Sequence, residues 1–232
     1  MALAGVIFDF DGVLADSEPV HLHVFQTVLD SIGITLTAED YYARYLGYSD
    51  RDAFHHVLRD NGRDLPPDQL DALLETKKGL FPQAVGDHAL YAGAADCVAR
   101  IAAHVPVAIA SGALREEIEL ILDRSGLRPH FPLIVAAGET PRSKPAPDPY
   151  ARAFELLVAR GGMPGGTNPS QVVAIEDSEW GLQSARGAGL RAVAVLTSYS
   201  RDRLPSAEAW FASIADVTVD GLEAVVAGRP PT

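Results

Sequence analysis

The stretch Val6-Ile7-Phe8-Asp9-Phe10-Asp11-Gly12 decides the fold. It closes an apolar run, Leu3 to Phe10, that reads as a buried strand ending in acids. Side chains alternate along a strand, so Asp9 and Asp11 point the same way at its end. Two carboxylates this close repel, and apolar surroundings add a desolvation cost. A bound cation removes both problems. Oxygen ligands suit Mg²⁺, which keeps several waters and also takes phosphate oxygens from a substrate. Gly12 then lets the chain turn sharply away. The competing account is a strand that ends in two solvated acids. A calcium loop of the EF-hand kind does not fit, because its spacing fails after Gly12 and a strand precedes it.

Outward from this stretch the chain has two textures. From Ser17 to His88 the pattern is helical and polar-rich, with Val20, Val24, Phe25, Val28, Leu29 and Ile32 at helical spacing up to Gly33. Further helices are predicted over Asp50 to Asp60 and from Pro66-Pro67 to about Leu80. Beyond, short apolar runs (Val105 to Ala110, Phe131 to Val135, Val172 to Ile175, Ala192 to Leu196) alternate with amphipathic segments at Ala94 to Ala103, Leu114 to Ser125, Pro149 to Ala159 and Glu179 to Ala188. Asp148 is read as the cap of the third of these, and glycine-rich Gly161 to Pro169 as a flexible connector. Strand–helix alternation implies a Rossmann-like α/β core with a parallel sheet. The expected organisation is a core of residues 1–15 and 90–232 with a helical cap, residues 16–89, inserted after the first strand. Such an insert is expected over the carboxyl ends of the strands, where open α/β sheets bind ligands.

Composition narrows the classes. The 232 residues are 47% hydrophobic and 22% charged, ordinary globular values. No stretch approaches the roughly 20 apolar residues of a membrane span. The apolar start, Met1 to Phe10, lacks a basic leader, so no signal peptide is expected. One cysteine, Cys97, allows no intrachain disulfide and fits a reducing, cytoplasmic location. A net charge of −12 argues against a nucleic-acid partner. It leaves room for a phosphorylated substrate, provided a cation and a few placed basic groups share the pocket.

Three more clusters follow predicted strands. Ser111-Gly112 offers a hydroxyl and backbone N–H groups before a helix, a phosphate seat or simply a helix cap. Lys144 lies in Pro141-Arg142-Ser143-Lys144-Pro145-Ala146-Pro147-Asp148-Pro149, whose four prolines stiffen the loop. It either neutralises the acids and a phosphoryl group or is a solvated lysine in a turn. Glu176-Asp177-Ser178 ends Val172 to Ile175; Asp177 completes the metal site with Glu176 beside it, or it caps a helix. The absence of G-x-x-x-x-G-K-[ST] and of G-x-G-x-x-G after the first strand speaks against nucleotide and dinucleotide sites.

With these motifs in this order, Asp9-Phe10-Asp11-Gly12, Ser111, Lys144-Pro145 and Glu176-Asp177-Ser178, the chain resembles the haloacid dehalogenase superfamily over nearly all its length. The likeness is to the beta-phosphoglucomutase and phosphoglycolate phosphatase branch with a helical cap. The resemblance implies that Asp9 attacks phosphorus and becomes an aspartyl phosphate, while Asp11 acts as acid and then base. It implies that Ser111 and Lys144 hold the phosphoryl oxygens. Asp9, the Asp11 carbonyl and Asp177 would ligate Mg²⁺, and Glu176 is commonly counted with the metal group.

The cap should choose the substrate. His21 falls at the cap histidine of beta-phosphoglucomutases and is a candidate substrate contact, as are Arg44, Gly112 and Arg115. Mutases of this family place lysine just before Gly47 and arginine just after Ser49, where this chain has Leu46 and Asp50. An aspartate repels the second phosphate of a sugar bisphosphate. The expected activity is therefore Mg²⁺-dependent hydrolysis of a small phosphorylated metabolite, of sugar phosphate or phosphoglycolate type, by a monomer or weak homo-oligomer. A hexose phosphate mutase is the alternative.

Overall fold

The computed structural model describes residues 2–46, 48–86 and 89–230; Met1, Gly47 and His88, named above, lie outside the described residues. The chain forms β1 (Gly5–Phe8), α1 (Glu18–Asp30), α2 (Ala38–Asp40), a π-helical turn Tyr41–Tyr45, α3 (Asp50–Asp60) and α4 (Pro67–Ala84). It continues through α5 (Ala94–Ala102), β2 (Val107–Ala110), α6 (Arg115–Arg124), β3 (Ile134–Val135) and α7 (Asp148–Arg160). It ends in β4 (Val172–Glu176), α8 (Glu179–Gly187), β5 (Arg191–Val195), β6 (Ala209–Phe211) and α9 (Val219–Val226). Two compact units result, Met1–Asp16 with Asp87–Thr232, and Ser17–Gly86.

In the first unit the described strands form one parallel six-stranded sheet, ordered β3-β2-β1-β4-β5-β6. β1 is central, with Val6 opposite Val107 on one side and Val173 on the other. Helices cover parallel sheets on both faces, so the strands are unbroken apolar runs. Ile7, Ala108, Ala174 and Ala192 pack with Tyr150, Ala153, Leu157, Leu182 and Ala185 of α7 and α8. Burying a side chain the size of Ile7 or Leu157 contributes about 1.5–3 kcal/mol. This packing fixes the strand ends from which the polar clusters emerge. The fold class expected from the alternation is the one observed.

Some elements differ from expectation. β6 and α9 escaped notice because three residues are too short for a period and α9 is rich in small residues. α4 runs on through Pro82 to Ala84, past the predicted end at Leu80. Asp148 is the first residue of α7 instead of its cap, and its carboxylate accepts from Arg142 Nη2 at 2.9 Å.

The second unit is a helical bundle. Val24, Phe25, Val28 and Leu29 of α1 meet Phe54, Val57 and Leu58 of α3 and Leu70 of α4. Inside it lies a lysine. Lys77 is 1% exposed, its Nζ 2.7 Å from Asp50 Oδ2 and 2.9 Å from His21 Nδ1, over the Phe25 and Phe81 rings. An ammonium only donates, so His21 Nδ1 is the accepting nitrogen.

Candidate active site

β1 delivers Asp9 and β4 delivers Glu176 and Asp177 at adjacent positions, because Phe8 pairs with Ile175 and the Asp9 N–H donates to the Ile175 carbonyl at 2.9 Å. The three carboxylates each offer an oxygen within 4.8 Å of the others. All three residues are buried. Lys144 Nζ reaches this cluster from the proline-rich loop, 2.8 Å from Asp9 Oδ1 and 2.6 Å from Glu176 Oε1. The approach to Asp9 is an ion pair without hydrogen-bond geometry, so Asp9 Oδ1 remains a buried acceptor with no hydrogen bond among the described residues.

Electrostatics follow from this crowding. Burial first, then the Glu176 charge, pushes the Asp9 carboxyl up to about 7, against the opposing pull of Lys144. Asp177 is raised well above the carboxylate range by burial and by Glu176 and Asp9. Burial works against the Lys144 ammonium, yet Asp9 and Glu176 outweigh it and hold Lys144 above its usual value. A divalent cation would reverse the pressure on Asp9 and Asp177. The all-oxygen donor set and the orphaned Asp9 Oδ1 fit a hard cation such as Mg²⁺.

Close backbone approach makes the cluster possible. Gly12 has φ +78°, and a Cβ there would run into the Asp177 carboxylate. Turning at Gly12 also lets the Phe10 carbonyl accept from the N–H groups of Leu14 and Ala15 at 2.8 and 2.9 Å. Asp11 lies in this turn and is half-buried. Ser111 is 4% exposed beyond β2, and its Oγ accepts the Ala113 N–H at 3.0 Å, shaping the turn before α6. Gly112 beside it is exposed, with nothing near its Cβ position.

Other candidates already have partners. Arg115 Nε and Nη2 donate to Glu139 at 2.5 and 2.8 Å, and Nη2 also donates to the Ile134 carbonyl at 2.8 Å. Arg44 and His21 belong to the helical unit. Arg44 Nη2 donates to Asp60 at 2.5 Å. Burial and the charge of Lys77 push His21 down to about 3, so its imidazole is neutral at ordinary pH.

Two features escaped the sequence. Thr197-Ser198 after β5 forms a fifth strand-end cluster: Ser198 Oγ donates to Asp177 Oδ2 at 2.5 Å, and Thr197 Oγ1 donates to the Gly12 carbonyl. Tyr150, in the core of α7, donates its hydroxyl to Glu176 Oε1 at 2.8 Å. Residue type alone gives no signal for either, since serines crowd the segment after β5 and Tyr150 occupies an apolar core position.

Residues 6–195 match the family model of the haloacid dehalogenase-like hydrolases. The chain belongs to this family. Protein CbbY of Rhodobacter capsulatus is 34% identical, the match covering 97% of this chain and 98% of that one. Fructose-1-phosphate phosphatase YqaB of Escherichia coli is 31% identical over 83% of this chain and 96% of its own. Among solved structures, CbbY of Rhodobacter sphaeroides in complex with xylulose-(1,5)bisphosphate superposes with a TM-score of 0.78 at 26% identity, covering 92% of this chain and 96% of that one. Within the haloacid dehalogenase-like hydrolases this chain is a phosphoric monoester hydrolase. Among the described residues no helix is long and apolar enough to cross a membrane.

Proposed function

We propose that this hydrolase is a Mg²⁺-dependent phosphatase acting on a small phosphorylated metabolite, of sugar phosphate or phosphoglycolate type, through an aspartyl phosphate on Asp9. The observation that carries this is the buried Asp9, whose Oδ1 lacks a hydrogen bond among the described residues while Lys144 and Asp177 stand beside it. Asp9 and Asp177, with the Asp11 carbonyl, would hold the cation, which supplies charge neutralisation for the carboxylates and the phosphoryl oxygens when bound.

In this reading Asp9 attacks phosphorus as the bond to the leaving oxygen breaks, and Asp11 gives that oxygen its proton. Asp11 then takes a proton from water, which attacks the aspartyl phosphate and returns Asp9 and free phosphate. Lys144 and the Ser111-Gly112 turn bind the phosphoryl oxygens as charge builds on them. The segment of residues 16–89 is the cap and selects the substrate. His21 is a polar contact that stays neutral, and Arg44 and Arg115 recognise substrate only on leaving Asp60 and Glu139. The enzyme works in the cytoplasm as a monomer or weak homo-oligomer.

Water is the favoured acceptor because the cap position where mutases carry an arginine holds Asp50, whose carboxylate pairs with Lys77. A relative named for fructose 1-phosphate and another crystallised with a sugar bisphosphate support the sugar phosphate class. A phosphate-release screen over phosphorylated metabolites, with and without Mg²⁺, tests the proposal. Release that needs metal and disappears in Asp9→Asn is expected; release that survives either change refutes it. Conversion of a sugar 1-phosphate to its isomer, without free phosphate, would mark a mutase instead.

A further inference from the structure

Glu176 is unlike the other two carboxylates of the cluster. It is fully buried, and both its oxygens are taken by donors of its own chain. Oε1 accepts from Lys144 Nζ at 2.6 Å and from the Tyr150 hydroxyl at 2.8 Å. Oε2 accepts from the Ser178 hydroxyl at 2.9 Å and from the N–H groups of Asp177 and Ser178 at 3.2 and 3.3 Å. A carboxylate offers about four lone-pair sites, so these five donors leave none for a cation. By contrast, among the described residues Asp9 Oδ1 has the Lys144 ion pair but no hydrogen bond, and Asp177 Oδ2 accepts from the Ser198 hydroxyl.

The surroundings are built for this arrangement. A Cβ at Gly181 would run into the Glu176 carboxylate, so α8 approaches it only because that position is glycine. Lys144 Nζ also lies 5.0 Å from the centroid of the Tyr150 ring, so one residue contacts both partners of the ion pair. The Ser184 hydroxyl donates to the Ala146 carbonyl at 2.5 Å and ties the lysine loop to α8.

We propose that Tyr150 is a positioning residue for phosphoryl transfer: with Ser178 it fixes Glu176, and Glu176 fixes Lys144 beside Asp9 and gives no oxygen to the cation. This rests on the phosphatase reading above but has its own signature. Phosphate handling and metal binding separate, because the Tyr150 hydroxyl acts through Glu176 Oε1 on the Lys144 ammonium, while Glu176 meets Asp177 only at its backbone N–H and leaves the Asp177 carboxylate to Ser198. A phenylalanine at 150 keeps the ring, the core packing and the cation–π contact while removing only the donor.

The test compares wild type, Tyr150→Phe, Glu176→Gln and Asp177→Asn. Calorimetry measures inorganic phosphate and Mg²⁺ binding, steady-state kinetics gives kcat and KM, and urea unfolding reports the folded fraction. Tyr150→Phe should lower kcat and phosphate affinity about tenfold, as expected for one hydrogen bond to a charged group. Its Mg²⁺ affinity should stay within about twofold of wild type. Asp177→Asn should lose Mg²⁺ binding by more than about a hundredfold, and Glu176→Gln by less than about tenfold. A merely structural tyrosine would shift the urea midpoint and leave kcat per folded molecule unchanged, which overturns the proposal. So does Glu176→Gln losing Mg²⁺ as completely as Asp177→Asn. If Glu176→Gln fails to fold, Tyr150→Phe still decides. A wild type that releases no phosphate from any ester defeats the phosphatase reading, and the two calorimetric titrations still judge the clamp.

Discussion

Without a bound cation the folded protein should be sensitive to alkali, with Asp9 as a main cause. Its carboxyl moves from 3.8 to about 7 in the folded chain, burial being the largest cause. The folded state therefore holds this proton more tightly than the unfolded state. The stability it contributes is fully present below pH of about 4 and is lost as pH rises through about 7. Moving from 3.8 to about 7 amounts to about 4 kcal/mol. That is a large share of the roughly 5–15 kcal/mol that keeps a domain folded. A cation on Asp9 and Asp177 stabilises the ionised form, restoring about 2.7 kcal/mol at a hundredfold excess over its Kd. The assay is urea unfolding from pH 4.5 to 8, in chelator and in Mg²⁺, on wild type and Asp9→Asn. The difference between the two proteins separates Asp9, together with the carboxylates it perturbs, from the remaining acids of a chain with net charge −12. In chelator the wild-type midpoint should fall with pH relative to the variant, and Mg²⁺ should close the gap. An identical pH slope and Mg²⁺ response in Asp9→Asn would refute the reasoning.

Ser198→Ala should weaken Mg²⁺ binding about 10–100-fold in a calorimetric titration, since it removes the hydroxyl that orients the Asp177 carboxylate. In the helical unit, Asp50→Asn strands a buried ammonium and should cost about 3–5 kcal/mol in urea unfolding. Lys77→Met instead removes the charge among Phe25 and Phe81 and should be neutral or stabilising.

The α/β core and the acidic cluster at its strand ends were legible because their signals are local. Apolar runs that end in Asp9, Ser111 and Glu176-Asp177 mark both a strand and the end where its polar residues collect, and alternation with helices gives the parallel sheet. Residues whose roles depend on distant partners were not legible. Lys77 carries no motif in the sequence, and its burial rests on partners far along the chain, Asp50 and His21, 27 and 56 residues away. Tyr150 looks like one more apolar position until α7 brings it under Glu176, 26 residues on. Ser198 gains meaning only because β5 lies beside β4. Arg115, read as a substrate contact from its place after Ser111, is held by Glu139 across a separation of 24 residues.

The strand order has a consequence for how such an enzyme diversifies. Ser111, Asp9 and Glu176-Asp177 emerge from β2, β1 and β4, three neighbours joined by backbone hydrogen bonds. Their lateral separation is thus a multiple of the roughly 4.8 Å ladder spacing, a gauge cut by the peptide group itself. Side chains outside the ladder can change freely without recalibrating it. Segments outside the ladder can be rewritten while the strand-end residues keep the same ruler.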